Sequence, residues 1–514
     1  MTPATFDETL QQQADVTPSD IALVDARARL SYGELNDRVN AFAQRLQAAG
    51  TRPGHRVVLI ADNSTHHAVV AFALWRAGAT LVTIYPSSTV PEFEYAIDNA
   101  QPMLVIAGSR VVHLVRSATA ALGVPLVELT TEGTLTGLTV PEATAVGPTR
   151  VDPNALALIC YTSGSTSRPK AVMHSHSGLL AAATSYARVW HLGPADTTMV
   201  ALPMAWAFGL VTTTMAALTS GGRVLLLARS DPDDMLANLT SHEVTVFAGV
   251  TTMFVKMVGS LDRGSAAPTT LRLCISGGEP RNDATFDRWQ AITGCPVHDV
   301  YAASECFPVV TYDPELDPAP KPRSAGRVVP DAQLRLVGPD GADAGPSGPG
   351  EAWVRGPALM LGYWRDPELT SAVLTPDGWY RMGDLVEVDS DGYVHVVGRL
   401  TDLIIRGGAN VSPAEVEAVL VRHPLVREAS VVGLPDAGHG QRVVAAVVFE
   451  DLASAQEDTL RAHCAASLAS YKVPSRVVPL DELPRNVNTG KVQRREVAEL
   501  LASVLSASSK AGTA

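Results

Sequence analysis

The sequence predicts an α/β fold: a large N-terminal domain of β-α layered sheets, a β-rich appendage, and a small α+β C-terminal domain. Three observations lead to this prediction. Short apolar runs alternate with helical stretches through the first half of the chain, which is typical of mainly parallel sheets. Segments rich in proline and glycine then enclose short alternating strands. Finally, the composition changes near Gly398–Thr401, before another group of helices and strands.

The first element that the pattern predicts is an amphipathic helix that follows Ser31. Ser31 and Glu34 form a capping-box pattern, and Gly50 marks the helix end. Its apolar face comprises Tyr32, Leu35, Val39, Phe42 and Leu46. Strand-like and helix-like stretches then alternate: HRVVLIA, HHAVVAFALWRAG, LVTIYP, a helix around Pro91–Asn99, and MLVIAG.

A buried strand over Ala155–Tyr161 leads into the stretch YTSGSTSRPKAVM, and we expect the next helix over Ser177–Trp190. The loop therefore follows the carboxyl end of a strand, where open α/β sheets bind ligands. Further helices and strands follow in alternation: helix Asp233–Ser241, strand VTVFAGV, helix Thr252–Val258, strand LRLCISG, helix Asn282–Thr293 and strand VHDVYAAS.

The loop after Tyr161 has the composition of a phosphate cradle. Small hydroxyl residues around Gly164 allow backbone N–H groups to approach a polyanion, and Lys170 adds a positive charge. A solvated turn closed by Arg168-Pro169 is the structural alternative. The loop is not a Walker A motif, because Lys170 follows proline and Ala171 replaces the Ser or Thr that would hold magnesium.

The C-terminal part of the chain predicts a second domain. QLRLV and EAWVRG read as strands of the appendage, and helices and strands of a two-layer unit follow residue 400. We therefore predict domains at 1–399 and 400–514. The tail SASSKAGTA reads as frayed.

Composition limits the classes of function. The chain has 514 residues, 46% hydrophobic and 18% charged, which indicates a globular protein. A net charge of −13 argues against nucleic acid or an anionic membrane as a partner. Any bound polyanion must therefore be held by groups at its own site, because the overall charge of the protein repels it. Oligomeric state is not predicted.

The cysteines and the N-terminus favour a reducing, cytoplasmic location. Five scattered cysteines without a CxxC pair indicate neither a disulfide framework nor a zinc site. The first residues lack the basic and apolar regions of a signal peptide, and no apolar run approaches the roughly 18 residues of a membrane span.

Eight stretches occur in an order and approximate spacing that resemble the adenylate-forming superfamily, in its acyl-CoA synthetase (acid–thiol ligase) branch. They are YTSGSTSRPKAV, LPMAWAFGL, ISGGEPR, DVYAASE, GEAWVRGPALMLGYW, DGWYRMGDL, GYVHVVGRLTDLIIRGGANVSPAEVE and LPRNVNTGKVQRRE. The resemblance extends over nearly the whole chain.

The resemblance implies a two-step reaction and its cofactors. A carboxylate attacks the α-phosphate of ATP to form an acyl adenylate, and the thiol of coenzyme A then displaces AMP. ATP/AMP, Mg²⁺ and coenzyme A are the implied cofactors. In the family, the small C-terminal domain is mobile and rotates between the steps.

The resemblance also implies site residues. Lys491 and Glu305 resemble catalytic residues, with Glu305 as the magnesium ligand. The nucleotide contacts would be Thr162, Ser163, Gly164, Ser165, Thr166 and Lys170 at the β- and γ-phosphates, Asp299 and Tyr301 at the adenine, Gly277, Gly278 and Glu279 beside the base and acyl pocket, Asp384 and Arg399 at the ribose, and Ser304. The acyl pocket would comprise Trp206, Phe208, Val250, Ala302, Ala303 and Cys306. Gly407 and Gly408 resemble the coenzyme A face, and Thr401 the hinge.

Taken alone, several of these residues have structural explanations. Asp384 suits a turn, Glu305 a helix start, Gly407–Gly408 a hairpin turn, and Lys491 a solvated surface. Trp206 suits an apolar core as well as an acyl gate.

Departures from the family pattern leave the function partly open. Ser167 and Ala171 replace glycines of the phosphate loop, where a side chain would cost on the order of 1 kcal/mol if the backbone needed φ > 0. Ala302 also replaces a glycine, Met382 a threonine, and Thr401 the usual Asp or Lys of the hinge.

These departures keep three functions in view. The first is an acyl-CoA ligase for an apolar acid, bulky acids included. The second is a ligase that only thioesterifies a preformed adenylate. The third is a non-catalytic adenylate-binding regulator. The absence of the aspartate that holds an α-ammonium in the amino-acid-activating members argues against an amino-acid substrate.

Overall fold

The structure, a computed structural model, describes residues 3–139, 149–162, 169–345, 348–436, 438–449, 456–486 and 490–511. Its contacts divide the chain into two compact units: Met1–Leu334 with Val354–Arg381, and Arg335–Trp353 with Met382–Ala514. The second unit thus includes much of the predicted appendage. The boundary at residue 400 stays a prediction. In the described part of the chain, no helix is long and apolar enough to cross a membrane.

The helices largely follow the predicted pattern. They are α1 (Phe6–Val16), α2 (Tyr32–Ala48), α3 (Thr65–Arg76), α4 (Val90–Ala100), α5 (Val112–Leu122), α6 (His176–Val189), α7 (Ala216–Thr219), α8 (Pro232–Ser241), α9 (Thr251–Asp262), α10 (Asp283–Thr293), α11 (Pro367–Val373), α12 (Pro413–Leu420), α13 (Glu457–Ala465) and α14 (Arg494–Ala511). The capping box of α2 is confirmed, because Ser31 and Glu34 exchange side-chain and backbone hydrogen bonds. The prediction of a frayed tail was wrong as far as Ala511, because α14 continues to that residue. The last three residues of the predicted tail lie outside the described residues.

The strands are β1 (Ile21–Val24), β2 (Arg29–Ser31), β3 (Arg56–Ile60), β4 (Thr80–Thr83), β5 (Leu104–Gly108), β6 (Leu126–Leu129), β7 (Leu135–Thr136), β8 (Leu156–Thr162), β9 (Lys170–Ser175), β10 (Thr197–Val200), β11 (Arg223–Leu226), β12 (Val246–Gly249), β13 (Leu273–Gly277), β14 (Val297–Ala303), β15 (Cys306–Thr311), β16 (Arg327–Val328), β17 (Gln333–Val337), β18 (Gly350–Arg355), β19 (Gly362–Tyr363), β20 (Tyr380–Val388), β21 (Val394–Arg399), β22 (Ile404–Arg406), β23 (Ala409–Val411), β24 (Val426–Asp436), β25 (Gly440–Phe449) and β26 (Arg476–Pro479).

The first unit contains two large sheets. One has nine strands in the order β16-β15-β14-β13-β12-β10-β11-β1-β2, and the other has eight in the order β19-β9-β8-β4-β3-β5-β6-β7. Central neighbours such as β3/β4 and β12/β13 pair in parallel, as the alternation of helices and strands predicts. Antiparallel strands lie toward the ends of both sheets, including β8/β9 and β14/β15.

Strand β9 was missed by the sequence analysis, which expected a helix directly after the phosphate loop. Instead Lys170–Ser175 pairs antiparallel with β8, in a register that places Thr162 opposite Lys170. The loop of interest therefore joins the two strands of a hairpin. It still follows the carboxyl end of β8.

A five-stranded sheet forms the core of the second unit. Alternate residues of β25 point to opposite faces: Val443, Ala445 and Val447 belong to one apolar cluster, and Val444, Ala446 and Val448 to another. Helices α12 and α13 cover the first face, whereas Val497, Leu501 and Leu505 of α14 cover the second. Helix α14 therefore anchors the segment that immediately precedes it, which contains Lys491.

Candidate active site

We call β8, β9 and the loop that joins them the phosphate hairpin, and the structure describes both ends of that loop. Thr162 closes β8 and Lys170 opens β9, and the Lys170 ammonium lies 5.5 Å from the ring centroid of Tyr363. The predicted residues Ser163, Gly164, Ser165 and Thr166, together with Ser167, lie outside the described residues.

Ala171 causes no strain in this hairpin. It pairs with Tyr161 in the β8–β9 ladder, and its carbonyl accepts a hydrogen bond from Trp364 at 2.8 Å. Its backbone is that of a regular strand and does not adopt the positive φ at which a side chain would be costly. One of the two suspected weaknesses of the ATP loop therefore disappears.

Glu305 lies in the tight connection between β14 and β15, where Ala303 pairs with Cys306. Its side chain is buried, and its Oε1 accepts a hydrogen bond from the Tyr363 hydroxyl at 2.7 Å. Its backbone carbonyl accepts from Met360 at 2.7 Å. The preceding carbonyl, that of Ser304, lies 2.7 Å from Nε2 of the buried His174. Hydrogen bonds thus hold both the backbone and the side chain of Glu305 in place.

Asp299 lies on β14 and forms a buried ion pair. Nη1 of Arg281 donates to its Oδ2 at 2.9 Å, and Arg281 also donates to the Val297 carbonyl. Burial raises the pKa of the Asp299 carboxyl to about 7, although the adjacent guanidinium opposes that shift. The predicted adenine contact therefore has a cationic partner that the sequence analysis did not identify. Tyr301, two residues later, is half-buried.

Steric and backbone constraints explain the glycine pair Gly277–Gly278, which begins at the last residue of β13. A methyl group on Gly277 would lie 2.5 Å from Cγ1 of Val300 and 3.1 Å from Cε1 of Phe208. Gly278 adopts φ = +79°, which favours glycine. The carboxylate of Glu279 accepts a hydrogen bond from the Thr252 amide at 2.8 Å, which caps the start of α9.

The predicted acyl residues differ in how far they are buried. The rings of Trp206 and Phe208 are in edge-to-face contact, with centroids 5.4 Å apart, and Val250 immediately precedes α9. Trp206, Ala302 and Ala303 are half-buried, so Trp206 is not enclosed in the core. Cys306, in contrast, is completely buried, and burial raises the pKa of its thiol. Its place in the acyl pocket stays a prediction.

A π-helix, Phe208–Met215, begins at Phe208 itself. The hydroxyl of Thr213 donates to the carbonyls of Phe208 and Gly209, and that of Thr214 donates to Gly209. The two hydroxyls thus give the carbonyls at the start of the π-helix side-chain hydrogen-bond partners. Such turns frequently occur at functional sites. The sequence analysis missed this element.

In the second unit, strand pairing brings two predicted ribose contacts together. Asp384 on β20 is the register partner of Arg399 on β21, and Nε of Arg399 donates to Oδ1 of Asp384 at 2.9 Å. Gly383, directly before Asp384, adopts φ = +70°. The carboxylate is buried, whereas the guanidinium remains largely exposed.

The hinge and hairpin candidates lie close in sequence after Arg399. Thr401 is exposed in a short 3₁₀ turn and donates to Asp402 at 3.2 Å, and Asp402 pairs with Arg494 at 3.2 Å. Gly407 and Gly408 form the two-residue turn between β22 and β23, and both have positive φ. They are exposed. A hairpin turn at Gly407–Gly408 is compatible with a coenzyme A contact at the same residues.

Lys491 lies shortly before α14, in a segment that backbone hydrogen bonds hold in place. The amide of Asn486 donates to the Lys491 carbonyl at 2.8 Å, and Gly490, with φ = +74°, donates to Asn486 at 2.8 Å. Arg485 and Val492 close this segment as a β-bridge. Lys491 is half-buried, so it is not a freely solvated surface lysine.

Glu305 has the chemistry that a magnesium site requires. Mg²⁺ usually binds through one or two carboxylates and the phosphate oxygens of its nucleotide, so a protein cage is unnecessary. No group of three or more His, Cys, Asp or Glu able to hold a metal occurs in the described part of the chain. Tyr363 is the one described residue that donates to the Glu305 carboxylate. The residues present therefore fit a magnesium–nucleotide complex held by a single carboxylate.

Comparisons with known proteins cover both units. The sequence model of the AMP-binding enzyme family matches residues 10–364, and that of the AMP-binding enzyme C-terminal domain matches residues 415–491. A long-chain-fatty-acid–CoA ligase of Yersinia pestis is 32% identical over 93% of this chain and 91% of its own length. A feruloyl-CoA synthase of Amycolatopsis sp. is 34% identical, over 95% and 97%. The structure of ATP-bound MatB from Rhodopseudomonas palustris is 30% identical, with a TM-score of 0.89 over 97% of this chain and 98% of that one. This similarity confirms the predicted fold class.

Proposed function

The chain belongs to the AMP-binding enzyme family, as its motifs indicated, and from this premise we propose that it is an acyl-CoA ligase. The enzyme would be an acid–thiol ligase that uses ATP and coenzyme A. The names of the relatives compared above support this reaction class. The observation that carries the proposal is the arrangement of Lys170, Tyr363 and Glu305 beside the phosphate hairpin.

The proposed reaction has two balanced steps. A carboxylate oxygen of the acid attacks the α-phosphorus of ATP, forms an acyl–O–P bond and releases pyrophosphate. The sulfur of coenzyme A then attacks the acyl carbon, loses its proton, forms the C–S bond and releases AMP with the original carboxylate oxygen. Activation is needed because an oxide ion cannot leave from a free carboxylate.

The chain's own residues would divide the work of the first step. The hairpin and Lys170 would bind the β- and γ-phosphates, and Glu305 would hold Mg²⁺, which neutralises phosphate charge when bound. Lys491 would place its ammonium where charge accumulates on the α-phosphate and the attacking carboxylate. Asp384 and Arg399 would bind the ribose hydroxyls, and Tyr301 with Gly277–Glu279 would line the adenine.

We further propose domains at 1–399 and 400–514, with rotation about Thr401 between the two steps. In that scheme Gly407 and Gly408, which carry no side chains, leave room for the pantetheine arm of coenzyme A. A cytoplasmic enzyme fits the scattered, buried cysteines.

The substrate would be an apolar acid without a second charged group. All six predicted acyl residues are uncharged, and Trp206 and Phe208 provide an aromatic surface. Apolar surfaces bind apolar tails by removing them from water. Aromatic and fatty acids therefore form the first substrates to test.

The test supplies each acid with ATP, Mg²⁺ and coenzyme A, and each synthetic adenylate with coenzyme A alone. An acyl-CoA ligase forms thioester in both assays. Thioester from the adenylates alone would favour the thioesterification-only enzyme, for which Ser167 remains the argument. Binding of adenylates without any thioester would favour a regulator.

A further inference from the structure

Tyr363 connects two parts of the proposed site that lie far apart in the sequence. Strand β19, which contains Tyr363, pairs antiparallel with β9 of the phosphate hairpin, so that Tyr363 faces Val172 in the register and Gly362 faces Met173. The amides of Leu361 and Trp364 donate to the carbonyls of Met173 and Ala171, each at 2.8 Å. The tyrosine backbone is therefore tied to the hairpin.

The side chain of Tyr363 contacts both functional groups beside it. Its hydroxyl donates to Oε1 of Glu305 at 2.7 Å, and its ring lies 5.5 Å from the Lys170 ammonium, within cation–π range. The side chain is buried, and the Tyr380 hydroxyl also bonds to it. One aromatic residue thus contacts both the candidate metal carboxylate and the candidate phosphate lysine.

The direction of the hydroxyl bond is fixed by chemistry. A tyrosine phenol carries its proton at neutral pH, so the Tyr363 hydroxyl has a hydrogen to donate. A protonated phenol donates its hydrogen to an ionised carboxylate, which can only accept. This bond occupies Oε1 and fixes the orientation in which Oε2 can meet a cation.

We propose that Tyr363 is a positioning residue for adenylation, which orients Glu305 toward Mg²⁺ and links it to the phosphate hairpin. This inference rests on the proposed function. Partners of metal ligands typically contribute roughly 10- to 100-fold to metal affinity or activity. Tyr363 would therefore affect the ATP half-reaction and leave thioester formation from an adenylate unchanged, because that step uses neither Mg²⁺ nor the β- and γ-phosphates.

The test uses Tyr363→Phe, which removes the hydroxyl and keeps the ring over Lys170. Calorimetry would measure binding of α,β-methylene-ATP with and without Mg²⁺, and a second assay would follow thioester formation from a synthetic adenylate in EDTA. We expect binding without Mg²⁺ to match the wild type, the gain in affinity from Mg²⁺ to fall roughly tenfold, and the EDTA assay to be unchanged.

Tyr32→Phe is the matched control. The Tyr32 hydroxyl is also buried and donates to the backbone carbonyls of Gly222 and Leu218, on a helix that contributes nothing to the proposed site. An unchanged Mg²⁺ effect in Tyr363→Phe, an equal loss in Tyr32→Phe, or an equal loss in both half-reactions would overturn the inference. Failure of the proposed function would be distinct: a wild-type chain that binds the analogue with Mg²⁺ but forms no thioester from any adenylate.

Discussion

Arg399 donates a hydrogen bond from Nε to Oδ1 of Asp384 at 2.9 Å, between register partners on two adjacent antiparallel strands. The two side chains have different surroundings, because that of Asp384 is 7% exposed and that of Arg399 is 61% exposed. An ion pair with one exposed partner contributes little to stability. This difference is compatible with the proposed role of Asp384, whose carboxylate would be held in place as an acceptor for the ribose hydroxyls.

Asp384→Asn tests this explanation. We expect the KM for ATP to rise about tenfold, because a ribose hydroxyl loses a charged acceptor worth roughly 1.5 kcal/mol. The melting temperature should change little. Steady-state kinetics and thermal unfolding measure the two effects. Glu457→Gln, which disrupts the Arg476–Glu457 pair of the same unit, is the control and should leave KM unchanged. A large loss of stability with an unchanged KM would contradict the assignment.

Lys491→Ala should separate the two half-reactions. The ammonium is proposed to stabilise charge on the α-phosphate, and loss of such a donor typically lowers the rate by about 10²–10³. Adenylation, followed as pyrophosphate release, should fall by this factor, while thioester formation from the synthetic adenylate is retained. Arg495→Ala removes an exposed cation that pairs with Glu499 on the same helix, and it should affect neither step. Equal rates of pyrophosphate release in Lys491→Ala and wild type would refute this role.

Gly277→Ala should be costly because the position has no space for a methyl group. The new carbon would overlap with Val300 and approach the Phe208 ring, and overpacking of this kind costs about 1–3 kcal/mol. We expect a lower urea midpoint and a higher KM for the acid, since Phe208 must move. At Gly193 an added methyl group meets no atom of the described chain within 4 Å, so Gly193→Ala is the control. Similar midpoints for the two variants would count against a closely packed pocket wall.

His67 should make the protein less stable in mild acid. Burial lowers the pKa of its imidazole to about 4, below the value of 6.5 expected when unfolded. Between these values the unfolded chain binds a proton that the folded chain does not, so this contribution is complete above pH 6.5 and is lost as pH falls toward 4. From pH 7 to 5 the loss is about 2 kcal/mol. Urea unfolding should therefore show a smaller pH dependence for His67→Gln than for the wild type, and identical pH dependences would contradict the prediction.

Local signals in the sequence were sufficient for much of the fold. The capping box at Ser31 and Glu34 predicts the start of α2 because both partners lie within one helical turn. Strand β9 was missed because KAVMHS contains few β-branched residues and follows a proline, and its stability comes from pairing with β8 and β19. The π-helix at Phe208 was missed because its threonine hydrogen bonds have no distinctive spacing in the sequence.

In the site, as in the fold, residues were identified where a motif carries the signal, and they were missed where the role depends on a partner distant in the sequence. Family order placed Asp384 and Arg399 among the ribose contacts, and strand register then makes them partners. Tyr363 and Arg281 were present in quoted motifs but received no role, because each acts on a carboxylate from another part of the fold. A tyrosine or arginine inside a matched motif is the signal that could have identified them.

The most direct test of the central claim follows the oxygen atoms of the acid. The acid is supplied with both carboxylate oxygens as ¹⁸O, together with ATP, Mg²⁺ and coenzyme A. Mass spectrometry then measures the masses of AMP, pyrophosphate and the thioester. Attack on the α-phosphorus predicts AMP that carries one ¹⁸O, a thioester that carries the other, and unlabelled pyrophosphate. Unlabelled AMP, or ADP with labelled phosphate, would show that no acyl adenylate forms and would contradict the account.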